Sequence, residues 1–261
     1  MMKRARDDLE SQLAEARAER ARKWARAERS PPRSQVEYMD YGVVVLRGFF
    51  RQNRKALAGA IAGTNSPRNE IRCRRSGTVW IHVRDATSLR RFRDLGFPAW
   101  REFLGVFDEA RWRRSRGVDG ADTFPRDLLK DEYEVTANVF DSATQELGFH
   151  VDKIGRRQKG YRSDWLVNVN LGARGALHYY FRGTDGDKGQ ASAKTVVLDD
   201  GDAVLFDGNH LTHRVALDDP QATPRADLPP WNGRRPVRLS LQLRARGITR
   251  GPRSVRGHAP W

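Results

Sequence analysis

The chain has 261 residues, 38% of them hydrophobic and 31% charged, with 48 Lys and Arg against 33 Asp and Glu for a formal charge of +15. This length builds one large domain or one domain with an extension. No apolar run approaches the ~18 residues of a membrane span, the start MMKRARDDLE has no apolar signal core, and one cysteine, Cys73, rules out an intramolecular disulfide. A soluble intracellular protein of nucleus or cytoplasm with no membrane partner is expected. The basic balance fits a polyanionic partner, DNA or RNA, and fits equally an arginine-favouring codon bias.

Asp7 to Arg29 reads as one helix, rich in Ala, Glu, Arg and Leu without Gly or Pro. Leu9, Leu13, Ala16 and Trp24 give it a thin apolar stripe, so it packs along the domain, pairs with a partner protein or stands in solvent. Ser30 to Pro32 ends it. GVVVLRGFF, from Gly42 to Phe50, reads as a buried strand. RQNRKALAGAIAG then reads as a helix ending at Gly63. A β-like stretch from Ile71 to Val83 holds Trp80 and His82, and two helical pieces follow near Ser88–Leu95 and Pro98–Arg113. Arg72 to Arg116 carries twelve arginines against five acids.

From Tyr133 the texture changes to short strands between turns: YEVTANVF, WLVNVNLG, ALHYYF, TVVL, DAVLF, HRVAL and VRLSLQLR. Such spacing points to a barrel or sandwich. The expected class is mainly β with flanking helices (α+β). The divisions are a charged helix over 1–35, an extension over 36–130 and a β core over 131–261.

GFHVDK sets His150 and Asp152 two residues apart, which on a strand puts both on one face. THRV supplies His213, just ahead of a strand. Two histidines and one carboxylate are the facial ligand set of non-haem Fe(II) oxygenases, with positions left open. His210 competes as the distal ligand. On VRLSLQLR, Arg238, Ser240, Gln242 and Arg244 share one face. A cation inside a barrel is costly unless paired, and a carboxylate is its natural partner.

These pieces together resemble the AlkB-like branch of the Fe(II)- and 2-oxoglutarate-dependent dioxygenases. The matching segments are GVVVLRGFF, TANVF, FHVDK, VNVNLG, LDDGDAVLFDGNHLTHRV and the closing RLSLQLR, about half the chain. The resemblance implies a double-stranded β-helix of jelly-roll type. It implies Fe(II) on His150, Asp152 and His213, with 2-oxoglutarate and dioxygen as co-substrates. Arg238 would clamp the 2-oxoglutarate tail. Arg244, Asn138 and Ser240 would lie at the co-substrate, with Arg244 close to it or to the substrate. Where the family has Asn-x-Tyr, this chain has Asn138 and Phe140, without the hydroxyl. The implied reaction is oxidation or demethylation of a modified base in nucleic acid.

The basic run with Lys153, Arg156 and Arg157 follows the proximal ligands and would grip phosphates. The Arg72–Arg116 block matches the family's substrate lid in position, and the tail from Arg244 to Trp261 adds five arginines and no acids. Trp80, His82 and Trp100 are candidates for stacking on an extruded base, or are ordinary packing. His178, Tyr180, Asn168 and Asn170 line the pocket or lie on the outer pleat. Three other readings remain open: a protein or small-molecule hydroxylase on the same scaffold, a nucleic-acid-binding jelly roll without chemistry, and a 5-methylcytosine oxidase.

Overall fold

The computed structural model describes residues 34–63, 70–72, 79–83, 86–116, 124–126, 128, 133–142, 146–152, 165–181, 192–219, 221–230 and 235–245. The helix expected over Asp7–Arg29, the run with Lys153, Arg156 and Arg157, and the tail beyond Ala245 lie outside these residues, as do the side chains of Trp80 and His82.

The strands are β1 (Gln35–Tyr38), β2 (Val44–Arg47), β3 (Glu70–Arg72), β4 (Val79–Val83), β5 (Tyr133–Phe140), β6 (Leu147–His150), β7 (Trp165–Gly172), β8 (Gly175–Phe181), β9 (Lys194–Leu198), β10 (Ala203–Asp207), β11 (Leu211–Leu217) and β12 (Arg238–Ala245). The helices are α1 (Arg54–Gly63), α2 (Ala86–Val106) and α3 (Glu109–Arg116). A large sheet runs β1-β2-β10-β7-β12-β5-β4-β3, and a small one runs β6-β11-β8-β9. From β5 onward the chain winds between them: β5, β7, β10 and β12 join the large sheet, and β6, β8, β9 and β11 the small one.

The winding works because the strands alternate in what they bury. On β7, Trp165, Val167, Val169 and Leu171 face a core behind the large sheet. Leu166 faces the core between the sheets with Phe140, Leu177, Val204 and Phe206. Asn168 and Asn170 share the inward face of Leu166 and are fully buried. The large sheet is thus greasy on its back and partly polar inside.

The helices cover the greasy back. Leu57 and Ile61 of α1, Phe92, Trp100 and Phe103 of α2, and Trp112 of α3 share that core with Val135, Ala137 and Leu241. The arginine-rich block therefore splits. Its helices back the large sheet, while β3 and β4 pair antiparallel, with β4 beside β5. Trp100, one of the stacking candidates, is 0% exposed. Its Nε1 donates to the Arg126 carbonyl (3.0 Å), and its ring packs on Phe103 and Phe124. It is a core residue, worth about 3–5 kcal/mol against alanine.

The two helical pieces expected around Pro98 are one helix, with Pro98 inside it. The cost of an interior proline is met by tertiary packing, because Phe92, Ala99, Trp100 and Phe103 bury one continuous face across it. The break comes later, at Asp108. Its carboxylate accepts from the Arg111 amide (2.9 Å), capping α3 as short acidic residues do.

Candidate metal centre

On β11, His213 lies directly opposite His150 of β6, yet Val215 lies opposite Leu147. Two steps on one strand face three on the other, which is a bulge at Gly148–Phe149. Strict alternation from Leu147 would send His150 outward. The bulge resets the pleat, so Leu147 and His150 both turn toward the space between the sheets. This corrects the strand reading of GFHVDK: β6 stops at His150, and Asp152 lies beyond it. Its amide donates to the Gly208 carbonyl in the turn after β10 (2.9 Å). Gly208 permits this approach, since a Cβ there would stand 2.3 Å from Asp152 Oδ2. His213 lies inside β11 rather than ahead of it.

The three side chains meet, with one ligand atom from each lying within 4.8 Å of the others. His150 Nε2 is 3.4 Å from Asp152 Oδ1, and His213 Nε2 is 3.8 Å from Oδ2. Both rings are oriented from behind. His150 Nδ1 lies 2.8 Å from the Gly148 carbonyl and His213 Nδ1 lies 3.0 Å from the Leu211 carbonyl. A carbonyl only accepts, so each Nδ1 carries the hydrogen and each Nε2 is the atom turned toward the Asp152 carboxylate and free to ligate once unprotonated. Burial pushes His213 down to about 4, which keeps it neutral. Burial also opposes ionisation of Asp152, but the His150 hydrogen bond and the Arg244 charge outweigh it and hold the carboxyl at about 2. For His150 burial is outweighed by the Asp152 and Gly148 hydrogen bonds, which raise it, so its Nε2 holds a proton against Oδ1 that ligation must displace, whereas His213 is already neutral. The rival His210 instead sets its Nδ1 2.7 Å from Asp207 Oδ2.

β12 lies between β5 and β7 and lines the large sheet's inner face with polar groups. Arg244 Nη2 donates to Asp152 Oδ2 (2.8 Å) and to Gln242 Oε1 (3.0 Å). Gln242 Oε1 also accepts from the Thr136 hydroxyl (2.9 Å). The Ser240 hydroxyl donates to Asn168 Oδ1 (2.7 Å). Asn138 is buried and lies opposite Ser240. Arg238 is 1% exposed. Among the described residues no carboxylate pairs with it, and burial alone lowers its guanidinium to about 9. The Phe140 ring packs with its centroid 5.0 Å from Arg238 Cζ.

Asn168 and Asn170 point inward as one reading had it, but His178 and Tyr180 do not. His178 meets Thr195, and Tyr180 packs on Phe149. The inward residues of β8 are Leu177 and Tyr179, with Tyr179 opposite His213. The bulge shifts Phe149 to the outer face, where it meets Tyr180, outward by the alternation of β8. Trp80 and His82 pair in register with Asn138 and Thr136 of β5.

No family model and no curated protein matches the sequence. Solved structures do. OsALKBH1 superposes with a TM-score of 0.51 at 17% identity, over 81% of this chain and 100% of that one. The fold is the double-stranded β-helix. A Pseudomonas putida prolyl-4-hydroxylase follows at TM-score 0.42 and 12% identity, over 79% of this chain and 94% of its own. The non-heme alpha-ketoglutarate-dependent epimerase SnoN gives 0.43 and 13%, over 78% and 76%. At these identities the likeness is one of fold. Within this double-stranded β-helix, His150, Asp152 and His213 fit a divalent iron by donor type, and Arg238, which no carboxylate among the described residues pairs, fits an anionic carboxylate ligand.

Proposed function

We propose that this chain is an Fe(II)- and 2-oxoglutarate-dependent dioxygenase. One observation carries the reading: a His-Asp-His set and a buried guanidinium with no counter-ion among the described residues face the same interior between the two sheets. A carboxylate anchored at the second and a metal at the first are what a bridging 2-oxo diacid requires. Bound ferrous iron supplies the activation of dioxygen, coupled to oxidative decarboxylation of the co-substrate, that oxidises a substrate C–H bond. The protein's own groups do the rest. Both imidazoles must be neutral to ligate, so His150 would give up the proton it shares with Asp152, which stays ionised. Arg238 takes the distal carboxylate, with Asn138 and Ser240 beside it, and Phe206 and Leu211 keep the interior dry.

For the substrate we propose a modified base in DNA or RNA. The +15 charge supports this, as does the likeness of fold to OsALKBH1, a protein carrying the AlkB name. Lys153, Arg156 and Arg157 follow Asp152 directly in the chain and are the assigned phosphate contacts. Trp80 and His82 are the assigned contacts to the base. The test is succinate release by the purified chain with Fe(II) and 2-oxoglutarate, with and without methylated single-stranded oligonucleotides. Stimulation that weakens steeply with salt is the expected result. Turnover indifferent to every oligonucleotide moves the substrate to a protein or small molecule, and no succinate at all removes the enzyme.

A further inference from the structure

Arg238 is fixed from four directions. Its Nε donates to Asn170 Oδ1 on β7 (2.5 Å), and its Nη1 donates to the Ala216 carbonyl on β11 (3.2 Å). Phe140 packs against the guanidinium from β5. β8 passes beneath, where a Cβ on Gly175 would stand 2.3 Å from Arg238 Cζ. Nη2 makes no hydrogen bond among the described residues, so that edge of the fork is left for a ligand.

Asn170 is itself over-determined. Its Nδ2 donates to the carbonyls of Ala173 (3.1 Å), Leu198 (3.1 Å) and Asp199 (3.2 Å). An amide whose nitrogen faces three acceptors must turn its oxygen the other way, and that oxygen meets Nε. The residue is neutral, which matters as much as its direction. A carboxylate here would orient the guanidinium equally well but would cancel its charge, leaving little to attract an anion. An amide orients without neutralising.

We infer that Asn170 is the positioning residue of the anion pocket: it aims the guanidinium of Arg238 and leaves its charge for the distal carboxylate of the co-substrate. This rests on the dioxygenase reading above. It assigns to β7 an orienting task that a tyrosine hydroxyl at position 140 does not perform in this chain.

The test compares two acids on the Mn(II)-loaded full chain by calorimetry. 2-Oxoglutarate and 2-oxobutyrate share the 2-oxo acid head, but only the first has a distal carboxylate. Asn170→Ser is expected to weaken 2-oxoglutarate roughly tenfold or more and to leave 2-oxobutyrate and Mn(II) within about twofold. Equal weakening of both acids, or of neither, overturns the inference, because a merely structural residue has no reason to distinguish them. Asn170→Asp keeps an acceptor on Nε and carries the same test if the serine variant does not fold. It should also lose 2-oxoglutarate selectively, and binding as tight as wild type would overturn the inference. If the wild-type chain itself fails to prefer 2-oxoglutarate, the co-substrate reading falls and this inference with it. If wild type prefers it and the variants do too, only the role of Asn170 falls.

Discussion

Arg244 Nη2 sits 2.8 Å from Asp152 Oδ2, a contact between residues ninety-two positions apart. Both side chains are about one-seventh exposed, at 15% and 13%. The carboxylate that faces the two imidazoles is therefore already held by a cation from the large sheet, and Gln242 steadies that cation in turn.

Removing that hold should loosen the centre. Arg244→Met leaves the Asp152 carboxylate, among the described residues, with its histidine contacts. A partner orienting a metal ligand is commonly worth about 10–100-fold in affinity, so Mn(II) titration should read a loss in that range with the fold retained by circular dichroism. Unchanged affinity would mean that Arg244 does not orient Asp152.

The choice between the two late histidines can be checked directly. His213→Ala should abolish stoichiometric Fe(II) or Mn(II) binding, because one of three ligands is gone. His210→Ala should keep metal affinity within about threefold, since its imidazole belongs to Asp207. The reverse pattern would reassign the centre.

The buried guanidinium makes an unusual stability prediction. An unpaired buried charge costs several kcal/mol, and apolar replacement of buried charges is often neutral or stabilising. Arg238→Met should therefore melt no lower than wild type without ligand. Glutarate, which has the carboxylates but no 2-oxo group, should raise the melting temperature of the metal-free wild type by mass action and leave Arg238→Met unmoved. A lower melting point for the variant, or a glutarate shift that survives in it, argues against an open anion pocket.

A pH effect follows from the outer face of the small sheet. Burial and the nearby Arg214 hold His178 below its ordinary range. As pH falls, the unfolded chain takes up this proton before the folded one does, so the fold loses stability as pH drops through and below the unfolded histidine value of about 6.5. His178→Gln should reduce the loss of thermal stability below about pH 6.5 without abolishing it, because buried His213, down at about 4, contributes with the same sign. An equally steep slope in the variant would assign the acid sensitivity elsewhere.

Much of this was readable from residue order. WLVNVNLG is β7 to the residue and YEVTANVF is β5, because turn residues bracket the runs and their inward and outward faces differ in kind. The meeting of His150, Asp152 and His213 was readable because donor types and their order survive without coordinates. What escaped reading depends on register and packing. No propensity marks the extra residue at Gly148–Phe149 that turns His150 inward and Tyr180's neighbour outward. Pro98 reads as a break unless the buried face of α2 is known to run through it. Asn170 reads as one of two equivalent asparagines until β12 places Ser240 against the first and Arg238 against the second.

β12 is wedged between β5 and β7, strands that begin 105 and 73 residues earlier in the chain. Until it slots in, both neighbours present bare edges, and unpaired edges recruit other chains. A growing polypeptide on the ribosome thus carries the two histidines and the aspartate before it has anything to close the barrel. Synthesis, truncation and premature stops short of residue 245 should all yield a sticky half-barrel that chaperones or proteases see first.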